Sequence, residues 1–246
     1  MSTIDERRER ASAGVALDAD TDGWYGDFAR PRVFLQPIAA PSVLGLFGFA
    51  GATFVVAAHM AGWYGNGATA GYLFPFAAFF GGLAQFMAGM WSYRARDAVA
   101  TAMHGMWGSF WMAYGLVNLL VATKVLAAGT TMDHALGFWF IALGAITLSG
   151  VAGVLLEGSF GITAVLGTLT LGCAVAAVAL LTGRIGLEHT AGWVFLLSAA
   201  LAWYMATAMM LSAAAGRAVL PLLKKNSTPT KPIELDFGEP GVKQGQ

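Results

Sequence analysis

Charge is scarce in this chain. Asp, Glu, Lys and Arg make up 11% of its 246 residues, and between Leu44 and Ala215 they fall only in the short gaps between apolar runs. A soluble protein of this length needs a far more charged surface. No run has a carboxylate, lysine or arginine near its centre. That excludes carboxylate proton relays, arginine voltage sensors and sodium sites built from side-chain carboxylates. Cys173 is the single cysteine, so no disulfide forms within one chain, and it reads as a small buried hydrophobe. The four histidines, His59, His104, His134 and His189, form no i, i+4 pair, and no serine has a partner base in view. An intramembrane enzyme, a metal site and a bound cofactor are therefore not expected. Residues 1–36 contain no apolar core followed by a cleavage site, so they are not a signal peptide. The runs are continuous rather than alternating, which excludes a strand barrel.

The apolar residues that are present, 57% of the chain, collect into six runs: Leu44–Gly62, Tyr72–Trp91, Ala100–Ala122, Ala135–Leu156, Ile162–Leu181 and Ala191–Ala214. Each approximates the roughly 20 residues a helix needs to cross hydrocarbon. The expected fold is an all-α membrane protein with six transmembrane helices. Residues 1–36 read as a polar, largely disordered tail, 37–221 as the membrane domain and 222–246 as a second flexible tail. With six spans both tails share a side. That side carries twelve Lys and Arg against two, Lys124 and Arg184, on the other. Both termini are therefore expected in the cytoplasm, with the chain in the cell membrane. No nucleic-acid partner is expected.

Polar side chains inside the runs ask for a reason, because hydrocarbon makes them expensive. The main ones are His59, Gln85, His104 and Asn118, with scattered Ser and Thr. In the third run His104, Trp107, Gly108, Trp111, Tyr114, Gly115 and Asn118 recur at three- and four-residue spacing, so they share one helix face. One reading is packing of rings over bare glycine backbone. The other is a narrow pathway wall ringed by aromatics, with Trp111 among the substrate-binding candidates, His104 and Asn118 as polar stations and His104 as a proton-sensitive group. Gly45, Gly48 and Gly51 recur every third residue, and Gly81, Gln85 and Gly89 every fourth. Such stripes let helices approach closely in lipid and turn Gln85 away from it. At the head of the first run Pro41 breaks the preceding chain, Ser42 suits an N-cap, and Val43, Leu44 and Gly45 open the helix. The free N–H groups of such a first turn attract carboxylate without a basic side chain.

Residues 40–49, Ala-Pro-Ser-Val-Leu-Gly-Leu-Phe-Gly-Phe, resemble the N-P-A-P-L-G-L-x-G-F signature of the acetate uptake transporter family, also called the GPR1/FUN34/YaaH family. Gly81-Gly82-Leu83-Ala84-Gln85 with Ala88-Gly89 resembles its second-span block, and Gly108-Ser109-Phe110-Trp111 its Y-G-S-F-W block. Ala191-Gly192-Trp193 and Gly216-Arg217-Ala218-Val219-Leu220-Pro221 are similar to its last span and end. The resemblance implies ring-shaped homo-oligomers, usually hexamers, in which each protomer has its own path for acetate, succinate or a similar carboxylate. It implies passage either as through an anion channel or coupled to protons. It also implies a narrow apolar constriction at Phe49, Trp107 and Leu169, with Gln85 and the head of the first span, Ser42, Leu44 and Gly45, near the substrate. The chain departs from the pattern at Ala40 (Asn in the signature), Val43 (Pro), Trp107 (Tyr), His104 (often Phe) and Asp97 (Asn). The expectation is a small-carboxylate transporter or channel, acetate before succinate; the alternative is a carboxylate sensor or membrane scaffold without flux.

Overall fold

The computed structural model describes residues 38–225. The tail expected over 1–36 and most of the one from 222 onward lie outside those residues. The described chain forms six long helices: α1 (Pro41–Met60), α2 (Thr69–Ala95), α3 (Ala98–Ala122), α4 (Thr130–Leu156), α5 (Phe160–Thr182) and α6 (Ile185–Ala215). All but α3 are long and apolar enough to cross a bilayer. At 1.5 Å per residue even the 20 residues of α1 reach about 30 Å. The 25 residues of α3 are long enough as well. Its inward-facing His104, Asn118 and aromatic rings lower its apolarity, and those groups are buried in the bundle rather than turned to lipid.

Each helix begins before its apolar run, and two of them, α4 and α6, do so by more than a turn. Gly129 and Gly183, both with positive φ, end the preceding segments, and α4 and α6 start at Thr130 and Ile185. Asp133 and Glu188 consequently sit in helical first turns and not in loops. There they face the positive end of the helix dipole, which favours a carboxylate. The cap of α1 also differs from expectation. Proline's fixed φ suits the first helical position, so the helix starts at Pro41 and the cap position falls on Ala40, with no side-chain cap bond. Ser42 therefore lies inside the first turn. Asp97 is the residue that caps: its carboxylate accepts from Ala100 N at 2.8 Å at the start of α3.

The helices form a closed sequence of neighbours. α1 packs between α2 and α6, α6 between α1 and α5, and α5 between α6 and α4; α3 lies along α2 and touches α4 more lightly. Glycine sets the closest approaches. A Cβ on Gly108 would lie 2.5 Å from Phe86 N, and one on Gly45 2.5 Å from the His104 ring. Backbone and ring thus occupy the space that any other side chain would need. Within α2, Pro75 precedes a wide π-helical stretch, Phe76–Leu83. Proline removes one N–H from the ladder, and the wider turn is a usual way for a helix to absorb such an interruption.

Beyond α6 the chain returns to the turn between α4 and α5. Phe160 N donates to Leu223 O at 2.9 Å and Lys225 N to Gly158 O at 2.8 Å. Tyr204 Oη donates to Pro221 O at 2.8 Å.

Candidate functional site

Two cavities enter the bundle from opposite ends. One, about 240 Å³, opens where α1, α3 and α5 finish and α2, α4 and α6 begin. The other, about 230 Å³, opens beside Ser42 and the returning Leu222 and Lys224. We call them the distal and the proximal cavity. Each exceeds the roughly 30 Å³ that one water occupies several-fold, so each has room for a small carboxylate with part of its hydration.

Three helices pass from one cavity to the other across the same level. On α1, Leu46 lines the proximal cavity and Thr53 the distal one; on α3 the change comes between His104 and Trp107, and on α5 between Leu166 and Leu169. Phe49 lines neither. It lies about one helical turn from Leu46 and one from Thr53 and is 3% exposed. Its ring meets Trp107 edge-on at 6.1 Å between centroids, the offset geometry that aromatic quadrupoles favour. Trp107 and Leu169 are each 2% exposed. The layer between the cavities therefore contains Phe49, with Trp107 and Leu169 on its distal side. Val165 and Leu143 are fully buried in the same apolar cluster.

The layer is tied across helices by hydrogen bonds. Trp107 Nε1 donates to Thr147 Oγ1 at 3.0 Å, and that hydroxyl donates to Leu143 O at 2.6 Å, so an indole on α3 is fixed to the backbone of α4. Ser198 Oγ on α6 donates to Val165 O on α5 at 3.0 Å. The rings continue along α3: Phe110 contacts Trp107, Trp111, Tyr114, Trp139 and Phe140.

The sequence-predicted site residues divide into three groups. Trp107, Leu169, Trp111 and Asn118 line the distal cavity, where Asn118 Nδ2 is engaged by Tyr114 O at 2.9 Å. Ser42 and His104 line the proximal cavity. Leu44, Gly45 and Gln85 line neither: Leu44 is exposed, Gly45 backs onto the His104 ring, and Gln85 is buried on the side of α2 that faces α1. Five buried side-chain atoms have no hydrogen-bond partner among the described residues: Thr53 Oγ1, Gln85 Oε1, Arg96 Nη2, His104 Nδ1 and Trp111 Nε1. Burying such atoms costs free energy, so the three residues among them that line a cavity, Thr53, Trp111 and His104, are candidates for contact with a polar solute.

Three cavity residues escaped the sequence reading. Thr53 is one of several scattered threonines in the runs, and nothing in its spacing sets it apart. Asp133 and Glu188 fall in the gaps between runs and come to line one cavity only because α4 and α6 both start at the distal mouth, where His59 near the end of α1 joins them. His59 Nδ1 is 2.9 Å from Tyr64 O, and Tyr64 Oη donates to Val55 O, so the loop after α1 is fastened back onto that helix. Partial burial pushes the Tyr64 phenol above its ordinary pKa, which keeps it protonated as the donor.

The profile of the GPR1/FUN34/yaaH family matches residues 29–224. The succinate-acetate/proton symporter SatP of Escherichia coli strain K12 is 31% identical over 185 residues, 75% of this chain and 95% of the symporter. Ammonia transport outward protein 2 of Saccharomyces cerevisiae is 26% identical, over 75% of this chain and 67% of the yeast protein. The solved structure of the bacterial acetate channel SatP superposes with a TM-score of 0.70 at 30% identity, covering 76% of this chain and 99% of the channel.

Proposed function

Because the chain belongs to the GPR1/FUN34/yaaH family, we propose that it carries small carboxylates, acetate first and succinate second, across the cytoplasmic membrane through the interior of each protomer. The observation that carries this reading is the pair of cavities that face each other across the Phe49–Trp107–Leu169 level. A solute entering from one end meets a dry layer one or two side chains thick before the opposite cavity begins.

That layer offers no fixed charge. An ion that must shed its whole hydration shell there, such as chloride or phosphate, receives little in exchange. A carboxylate with a short apolar end sheds less, because its methyl gains from contact with Phe49, Trp107 and Leu169 while its oxygens stay in one cavity or the other. Ser42 and His104 serve the anion on the proximal side, and Trp111 and Asn118 on the distal side. Leu44, Gly45 and Gln85 act from behind this lining, with Gly45 giving His104 its place. Both termini lie in the cytoplasm in this reading, from the distribution of Lys and Arg, and the protomers assemble as a homo-hexamer. Passage is either channel-like or coupled to protons, with His104, about one turn of α3 from Trp107, as the proton-sensitive group.

Uptake of labelled acetate into liposomes containing the purified protein tests the proposal. Acetate must enter faster than into protein-free liposomes, and unlabelled succinate must compete more weakly than unlabelled acetate. Binding of acetate without any flux would favour the sensor reading instead.

A further inference from the structure

We propose that the distal cavity is built for carboxylates with a single negative charge, and that Asp133 and Glu188 at its mouth turn dianions away. The proposal rests on the transport reading above and narrows its substrate class.

The deep end of the cavity supplies neutral donors. Thr53 and Trp111 line it, each is 4% exposed, and Thr53 Oγ1 and Trp111 Nε1 have no partner among the described residues. A hydroxyl and an indole N–H satisfy one carboxylate group by hydrogen bonding and bring no positive charge. The remaining wall there is apolar, including Val56, Leu73 and Phe140. It suits a methyl or short alkyl end and offers a second carboxylate no positive charge.

The mouth adds a charge condition. Asp133 and Glu188 come from two different helices and line the same cavity, with His59 as the third ionisable group of the mouth and the phenol of Tyr114 deeper inside. No lysine or arginine lines it; Lys124 and Arg184, the two cations at this end of the described chain, lie outside the lining. First-turn placement explains why each carboxylate is tolerated singly. It also means that the positive ends of α4 and α6, which would otherwise attract anions, are already answered by the protein's own acids. The charged groups in the lining itself are thus acidic, which disfavours incoming negative charge. Coulomb energy scales with the charge of the solute, so a dianion meets twice the barrier of a monoanion in the same field.

The scaling gives the test a quantitative form. Full-length protein in liposomes is assayed for labelled acetate and labelled succinate at a pH where both succinate carboxyls are ionised. The unaltered chain passes acetate well ahead of succinate. In the double variant Asp133→Asn/Glu188→Gln, acetate flux rises by some factor and succinate flux by about the square of that factor. The charge-conserving variant Asp133→Glu/Glu188→Asp keeps the original ratio. Equal entry of both acids into liposomes carrying the unaltered chain, or an equal gain for both in the neutralised variant, overturns the charge limit and leaves transport standing. Ammonium flux with no flux of either acid removes the transport reading, and this inference with it.

Discussion

Trp107 is held from two sides, by the edge of Phe49 and by the hydroxyl of Thr147. Removing the indole leaves a hole in a layer where almost nothing is exposed. Trp107→Ala should cost about 3–5 kcal/mol of stability and, in molecules that still fold, raise acetate flux while loosening selectivity. Thr147→Val isolates the hydrogen bond. It keeps the shape but strands the indole N–H, a loss of about 1 kcal/mol by the measure of helix–helix bonds in membranes. Thermal unfolding in detergent should show a small drop, and flux should rise less than for Trp107→Ala. An unchanged melting point and unchanged flux in Thr147→Val would show that Phe49 packing alone fixes the ring. The inward face of α3 was legible because its three- and four-residue spacing is a one-helix property. Thr147 was not, because it lies 40 residues away and only the fold brings it to Trp107.

At the scale of elements, α2 and α3 meet backbone to backbone. Gly108→Ala would press a methyl against Phe86 N, and because the obstacle is main chain, neither helix yields cheaply. Overpacking of this kind costs about 1–3 kcal/mol, and the expected result is a lower melting temperature with weaker acetate flux, since α3 carries Trp107 and Trp111. Asp97→Ala removes the cap of α3 and should cost about 1 kcal/mol; Asp97→Asn, which keeps an accepting oxygen, should restore most of it. The glycine stripes of α1 and α2 announced approaches of the same kind, Gly48 against Phe80 and Gly89 against Gly105, since small residues at fixed intervals have few other uses in lipid. The starts of α4 and α6 were hidden, because polar first turns such as Thr130-Thr131-Met132-Asp133 look like loop until a dipole is assigned to them. The wide turn in α2 was hidden as well: Pro75 signals an interruption without saying how the helix absorbs it.

For the whole molecule, six apolar runs were enough to specify a six-helix bundle, because run length and helix rise are set by the same bilayer. The order in which the helices neighbour one another was not written in the runs. It depends on α6 returning to α1, a contact between the first and the last of the described helices. Orientation can be checked directly because Cys173 is the only cysteine and is fully buried. In a Cys173→Ala background, Lys124→Cys should react with an impermeant maleimide added outside intact cells, and Arg217→Cys only after permeabilisation. The reverse pattern would invert the assigned topology. Native mass spectrometry from detergent should give six copies per particle; a monomer that still transports acetate would confine the path to one protomer and make the ring dispensable.

The return of Leu222–Lys225 to the turn after α4 gives the last helix a second anchorage. Leu222 and Lys224, within that clip, also form part of the proximal rim. Tension or bulk applied just past Lys225 is therefore delivered to the doorway on that face at Leu222 and Lys224, whereas a load before Pro41 reaches it at Ser42 alone, with no clip between. An affinity handle joined close behind Lys225 and one placed ahead of the first helix are mechanically unequal choices, and the C-terminal one will slow entry from that side.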